Sequence, residues 1–255
     1  MTKPDWGGFY LVQHGLKRQT DDDVRTAEAA LGVQLPNGYR ELMTTLGDGE
    51  ISGILRVFSP AKLEAEQELF RELTQDVWFF NEPDETLTKD YALESIAIAD
   101  SIDGDQVIFH PGTGRLHVLP RHDEHTYSVG TDLWDVVAWF QESGVLTRPH
   151  PFRYFESFAG PTEATNGQGR RGGFSQLAEA ISSLGLHDAV ETGDDECTFF
   201  VKAIGGYLSL QDPQASNVYA HFRYQPDRAA DLRERIRQTA ITTGVTFGAP
   251  WSMST

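Results

Sequence analysis

With one cysteine in 255 residues, the chain has no internal disulfide to form. Cys197 stands in an apolar stretch and is expected to be a buried small hydrophobe, in keeping with a reducing cytoplasm. No apolar run approaches the ~20 residues that a bilayer-spanning helix needs. The opening Met1-Thr-Lys-Pro-Asp-Trp-Gly-Gly has neither the apolar core nor the small-residue cleavage site of a secretory signal, so a cytoplasmic protein is expected. G-x-S-x-G, H-E-x-x-H and the phosphate-binding Walker loop are all missing, and no cysteine nucleophile has evident partners. The first half also lacks the alternation of bases and aromatics that grips nucleic acid. These gaps favour a binding protein without chemistry or cofactor of its own.

Positive charge is scarce as well. There are 21 Lys and Arg against 38 Asp and Glu, a net charge of −17. The imbalance is concentrated: residues 1–150 hold 26 acids and 12 bases, whereas residues 151–255 hold 12 and 9. Between Glu64 and Asp105 there are 13 acids, offset only by Arg71 and Lys89. Such a field repels nucleic acid and anionic membranes and steers basic proteins inward. Acidity also keeps proteins soluble, so charge alone does not decide between these roles.

Hydrophobic spacing organises the first half. A helix is expected over about 20–32, ending at Gly32, and a second from Pro36 to Leu46, with Tyr39, Leu42, Met43 and Leu46 as its apolar stripe. Gly47-Asp48-Gly49 stops it. A strand over 51–58 leads to Ser59-Pro60, which opens a helix with Leu63, Phe70 and Leu73 inward and Glu64, Glu66, Glu68 and Glu72 outward. Strands follow near 77–80, 96–99, 106–110, 116–119 and 126–129, with Pro111-Gly-Thr-Gly turning one hairpin. A helix over 132–143 buries Leu133, Val136, Val137 and Phe140. Short sequential strands flanked by helices give an α+β fold with an antiparallel sheet. Trp78-Phe79-Phe80 on adjacent strand positions cannot all face one side, which calls for a second apolar layer there.

The order Glu28-x-x-Leu-Gly-x-x-Leu-Pro-x-x-Tyr39-Arg40, the glycine stop near Gly49, Gly104-Asp105 before a strand and the closing helix after Thr131 resembles the SUKH superfamily. This is the Smi/Knr-type domain of bacterial toxin-immunity proteins and fungal cell-wall regulators. The resemblance covers about residues 20–144. The helix after Ser59 is longer than usual for the family, and Leu133-Trp134 stands where serine and phenylalanine are typical.

Residues 149–173, rich in proline and glycine, read as a linker between a domain at 1–148 and a smaller one at 174–255. The latter is expected as an αβββα unit: a helix on Phe174, Leu177, Ala178, Ile181 and Leu184, strands at 197–204, 207–211 and 218–224, and a helix from Pro226 burying Leu232, Ile236 and Ala240. Gly205-Gly206 reads as a two-residue hairpin turn.

Three constellations suggest chemistry. Gly167-Gln-Gly-Arg-Arg-Gly172 matches the dinucleotide-binding letters, but no strand is expected before it, so it reads as linker. A lesser reading is an anion site at Arg170 and Arg171. His122 and His125 invite a metal, although zinc needs three or four converging groups; a solvated loop is the simpler reading. Asp105 would serve as a catalytic carboxylate only with a placed partner, and otherwise orders a turn. A metal-dependent enzyme using Asp105 with the His122/His125 loop therefore stands as an alternative, beside a regulatory or scaffolding module like the fungal relatives.

The resemblance implies an immunity protein that occludes a cognate toxin, often a nuclease. The surface expected to meet this basic protein partner comprises Glu64, Glu68, Glu72, Asp76, Glu82, Asp84 and Glu85, with Trp78 as apolar anchor.

Overall fold

The structure is a computed structural model describing residues 5–80, 87–149, 152–213 and 217–253. It separates into two compact units. Residues up to 10 and 16–157 form the first, and residues 11–15 with those from 158 onward form the second.

The first unit begins with a short 3-10 turn (Trp6–Gly8) and strand β1 (Tyr10–Leu11). Helix α1 (Asp21–Leu31) starts at a reciprocal cap: the Asp23 N–H donates to the Thr20 hydroxyl at 3.2 Å, and the Thr20 N–H donates to the Asp23 carboxylate at 2.7 Å. It ends at Gly32, whose φ of 69° is left-handed. Helix α2 (Tyr39–Thr45) is shorter than the sequence suggested. Gly38 has φ 83°, so Pro36 to Gly38 form a turn closed by the Tyr39 N–H on the Pro36 carbonyl at 3.2 Å. A Cβ on Gly38 would lie 2.9 Å from Asp132 Oδ1, so glycine is needed there for space as well as for conformation.

The expected single strand over 51–58 is a hairpin. β2 (Gly49–Ile51) and β3 (Leu55–Val57) pair through Ile51 and Leu55, and Ser52 and Gly53 both take positive φ between them. Then come α3 (Pro60–Asp76), α4 (Lys89–Glu94), β4 (Ile96–Ser101), β5 (Gln106–His110), β6 (Arg115–Leu119), β7 (Tyr127–Gly130), α5 (Leu133–Glu142) and β8 (Tyr154–Ser157). The sheet order is β1-β8-β2-β3-β4-β5-β6-β7, and the pairings from β8 through β7 are antiparallel. Leu42, Leu46, Val107, Phe109, Val136 and Phe140 are all buried, as their periodicity requires.

Two expectations about α3 and its sequel fail. Leu73 is 46% exposed; Gln67 and Thr74 fill the inner face with Leu63 and Phe70. Residues 77–80 form no strand. Phe80 instead stacks on Phe79 at 4.4 Å and meets Trp78 edge-on at 5.1 Å, so the three rings share a local cluster rather than alternating across a sheet.

The stretch read as a linker, 149–173, is partly regular. It contains β8 and β9 (Thr162–Gln168), which pair into different sheets. Proline and glycine flank these strands and so masked them at the sequence level. The second unit continues with α6 (Phe174–Ser183), β10 (Ala189–Thr192), β11 (Glu196–Val201), β12 (Gly206–Gln211), β13 (Tyr219–Tyr224), α7 (Ala230–Thr242), β14 (Thr246–Phe247) and β15 (Trp251–Met253). The order is β10-β11-β12-β13-β9-β14, with β15 also on β9, so the expected αβββα core gains strands at both edges. Leu177 and Ile181 of α6 and Ile236 and Ala240 of α7 share one core with alternate residues Phe199, Leu208 and Phe222 of the sheet. Helix α7 starts at Ala230, after Ala229 at φ 34°, and not at Pro226.

Gly205-Gly206 is not a two-residue turn. A 3-10 segment (Lys202–Ile204) ends on Gly205 at φ 60°, and Gly206 already belongs to β12, paired with Val201. A Cβ on Gly206 would lie 1.9 Å from the Arg223 carbonyl, so its role is close approach of backbones.

Candidate protein-binding surface

Helix α3 presents the acids singled out from the sequence. It is held by Leu63 and Phe70, both essentially sealed from solvent, and by Gln67, whose amide reaches the backbone of Ala97. With that face fixed, Glu64, Glu68, Glu72 and Asp76, four residues apart, form one exposed row. Trp78 follows the helix end and is half-buried against Phe80. Glu82, Asp84 and Glu85 lie outside the described residues.

Among the bases near this row, Arg71 is exposed on α3 itself, directly before Glu72, whereas Lys62 and Lys89 have partners. Lys62 Nζ lies 3.9 Å from Asp100 and 4.0 Å from Glu66, and sits over the Phe58 ring. Lys89 Nζ donates to the Gln75 carbonyl at 2.6 Å, near the C-terminal end of α3.

A second feature, missed at the sequence level, is a cleft of about 400 Å³ beside α2. Trp6, Leu35, Pro36, Arg40, Glu41 and Asp132 are among the residues that line it. The motif from Glu28 to Arg40 builds its wall. Glu28 accepts the Leu35 N–H at 3.1 Å and the Arg40 guanidinium at 2.8 Å, and Arg40 also reaches Asp21 at 3.3 Å. Tyr39 is fully buried and donates its hydroxyl to the Phe58 carbonyl at 2.7 Å; burial pushes its phenol pKa upward. Trp6 seals one end by packing on Trp134 at 4.9 Å. The signal for Trp6 was its aromatic size near the chain start, but its partner lies 128 residues away and no periodicity links them.

These contacts explain why glutamate, leucine-proline and tyrosine-arginine occur together at that spacing. The match to known families falls on the same segment: residues 19–139 fit the SMI1 / KNR4 family (SUKH-1). Residues 19–139 are an SMI1 / KNR4 domain. No curated protein is significantly similar to the chain. The SMI1 / KNR4 domain accounts for α1 through most of α5; β8 lies beyond the matched residues yet pairs with β2 inside the same sheet.

The residues weighed for enzymatic chemistry are occupied in other ways. Asp105 is buried, accepting from the Ser101 hydroxyl at 2.5 Å and the Arg121 N–H at 2.9 Å, so it ties the β4–β5 turn to the end of β6. His125 and Asp123 are 2.9 Å apart; that hydrogen bond, with one from the Tyr127 hydroxyl, holds the Asp123 carboxyl down at about 2. His122 is exposed, and among the described residues no three His, Cys, Asp or Glu side chains converge as a metal site. No described helix is long and apolar enough to cross a membrane.

One sequence test has to be corrected. A strand, β9, does lead into Gly167-Gln-Gly-Arg-Arg-Gly172 and includes its first two residues, and α6 follows. Yet β9 pairs antiparallel with β13, and a Cβ on Gly167 would lie 2.7 Å from Val245 and 2.8 Å from Phe247. The glycine therefore admits core side chains instead of a pyrophosphate, and the parallel βαβ setting of a dinucleotide site is not formed.

Proposed function

We propose that this protein is a non-enzymatic binding protein whose SMI1 / KNR4 domain engages a basic protein partner through α3. In the reading suggested by SUKH immunity proteins, that partner is a cognate toxin domain, such as a nuclease, and binding occludes it. The observation that carries this is the exposed row Glu64, Glu68, Glu72 and Asp76 on a helix whose other face is locked into the core. A surface that holds phosphate is basic, so an acidic face competes for it, with charge setting the rate of encounter and buried anchors the lifetime.

The test is kinetic. An immunity gene is expected to lie beside the gene of its toxin, and a toxin domain found there would be mixed with the full chain in stopped flow at low and high salt. Reversing Glu64, Glu68 and Glu72 to lysine should slow association and flatten its salt dependence while leaving the thermal midpoint nearly unchanged. Association at the parent rate would reject this surface.

A further inference from the structure

The acid row does not stand alone on α3. Leu69, Leu73 and Val77 are 51%, 46% and 58% exposed, and Phe79 just beyond them is 42% exposed. Leu69 and Leu73 are spaced four apart, so their side chains lie along one line on the helix surface, and Val77 caps the helix end four residues further on. Glu72 is three residues from Leu69, and Asp76 three from Leu73, which sets the acid row directly beside the apolar one. The core does not need these leucines, because Leu63, Gln67, Phe70 and Thr74 already fill the inner face. Large apolar side chains gathered in the open mark interaction sites far more often than chance scatter does.

We propose that the two rows together are a single docking face for a basic amphipathic helix of a partner protein. This rests on the protein-binding reading above and supplies what charge alone does not, a set of anchors that lose water on contact. Charge selects the occupant: a helix with lysine or arginine beside an apolar stripe meets both rows at once, its ridge lying along the Leu69–Leu73 line toward Val77. A uniformly cationic extended segment would leave that line wet. Nucleic acid and anionic lipid surfaces are repelled by the neighbouring carboxylates.

Two synthetic peptides of identical leucine and lysine composition test this against the isotope-labelled full chain by calorimetry and amide NMR. One places its leucines on a single helical face; the other is scrambled. The amphipathic peptide should shift amides between Ala65 and Phe80 and bind at least about tenfold tighter than the scrambled one. The L69S/L73S variant should lose about tenfold for the amphipathic peptide while keeping a cooperative thermal melt, and E68K/E72K should weaken both peptides. Parent-like binding of the amphipathic peptide by L69S/L73S would overturn the apolar half and leave acidic recognition standing. Unchanged binding by E68K/E72K as well would remove both readings. A dimer in sedimentation that L69S/L73S dissolves would assign the row to a second copy of the chain, and also overturn the proposal.

Discussion

Gln67 on α3 pairs with the backbone of Ala97 on β4 as a neighbouring strand would: its Nε2 donates to the Ala97 carbonyl at 2.8 Å, and its Oε1 accepts the Ala97 N–H at 3.1 Å. β3 ends at Val57, the chain turns into α3 three residues later at Pro60, and the register of β4 shifts between Ala97 and Ala99. The side chain thus satisfies main-chain groups that the sheet leaves behind. Replacing Gln67 by leucine keeps the volume but orphans a buried donor and a buried acceptor. The expected loss is about 3 kcal/mol in urea unfolding with an unchanged slope.

Along the same helix, burial and exposure predict opposite outcomes for two apolar residues. Phe70→Ala, at a position 2% exposed, should cost about 3–5 kcal/mol through lost transfer energy and the cavity left behind. Leu73→Ser, at a position 46% exposed, should cost no more than about 1 kcal/mol, because the leucine is only partly covered. Paired thermal melts would show it, and a large loss for Leu73→Ser would mean that the leucine supports the fold.

Gly206→Ala has no room to relax. The new methyl would fall on the Arg223 carbonyl of the neighbouring strand, so β12 and β13 must separate locally. A destabilisation of more than about 3 kcal/mol is expected, with amide exchange rising first along Gly206–Gln211. Gly185→Ala, where the added Cβ meets nothing within 4 Å, is the contrast and should cost only the strain of its left-handed backbone, about 1–2 kcal/mol.

His221 sets a pH dependence in the second unit. Burial, and then the Arg223 charge, lower its pKa from 6.5, and its Nδ1 lies 2.8 Å from Asn166 Oδ1. The unfolded chain therefore takes up a proton more readily than the folded one as pH falls below 6.5. Stability contributed by the neutral ring is present above that value and is lost on descending through the folded-state pKa. His221→Gln should flatten the fall in thermal midpoint on the acid side of 6.5, and a variant with the parent slope would exclude the ring as its source.

Much of the first sheet could be read directly from alternation and turn chemistry. β5 falls on the expected residues, and α1 and α5 start where Thr20 and Asp132 cap them, because those signals are local. The failures are places where a distant segment decides. Residues 77–80 carry strand-forming aromatics, but they satisfy one another as a cluster and no sheet edge claims them. Leu73 falls on the expected stripe, yet Thr74 takes the inward place beside Phe70. β8 and β9 sit among prolines and glycines, and only pairing with residues about a hundred or fifty positions away makes them strands. Of the candidate surface, the charges were plain in the sequence, whereas the apolar row beside them emerged only from knowing which face α3 buries.

The place of β8 between β1 and β2 has a consequence for the order in which this protein can be made. During synthesis the ribosome delivers β2 through β7 and the closing helix first, and the flank of β2 then waits as an open row of donors and acceptors. The sheet is completed only when Tyr154–Ser157 emerge, after every residue of the family match has left the tunnel. A fragment ending at residue 139 would keep that row uncovered permanently, and strand addition by a second molecule is the ready way to cover it. The functional length of the SMI1 / KNR4 domain in this chain is therefore set by when its sheet closes, some eighteen residues after the recognisable pattern has ended.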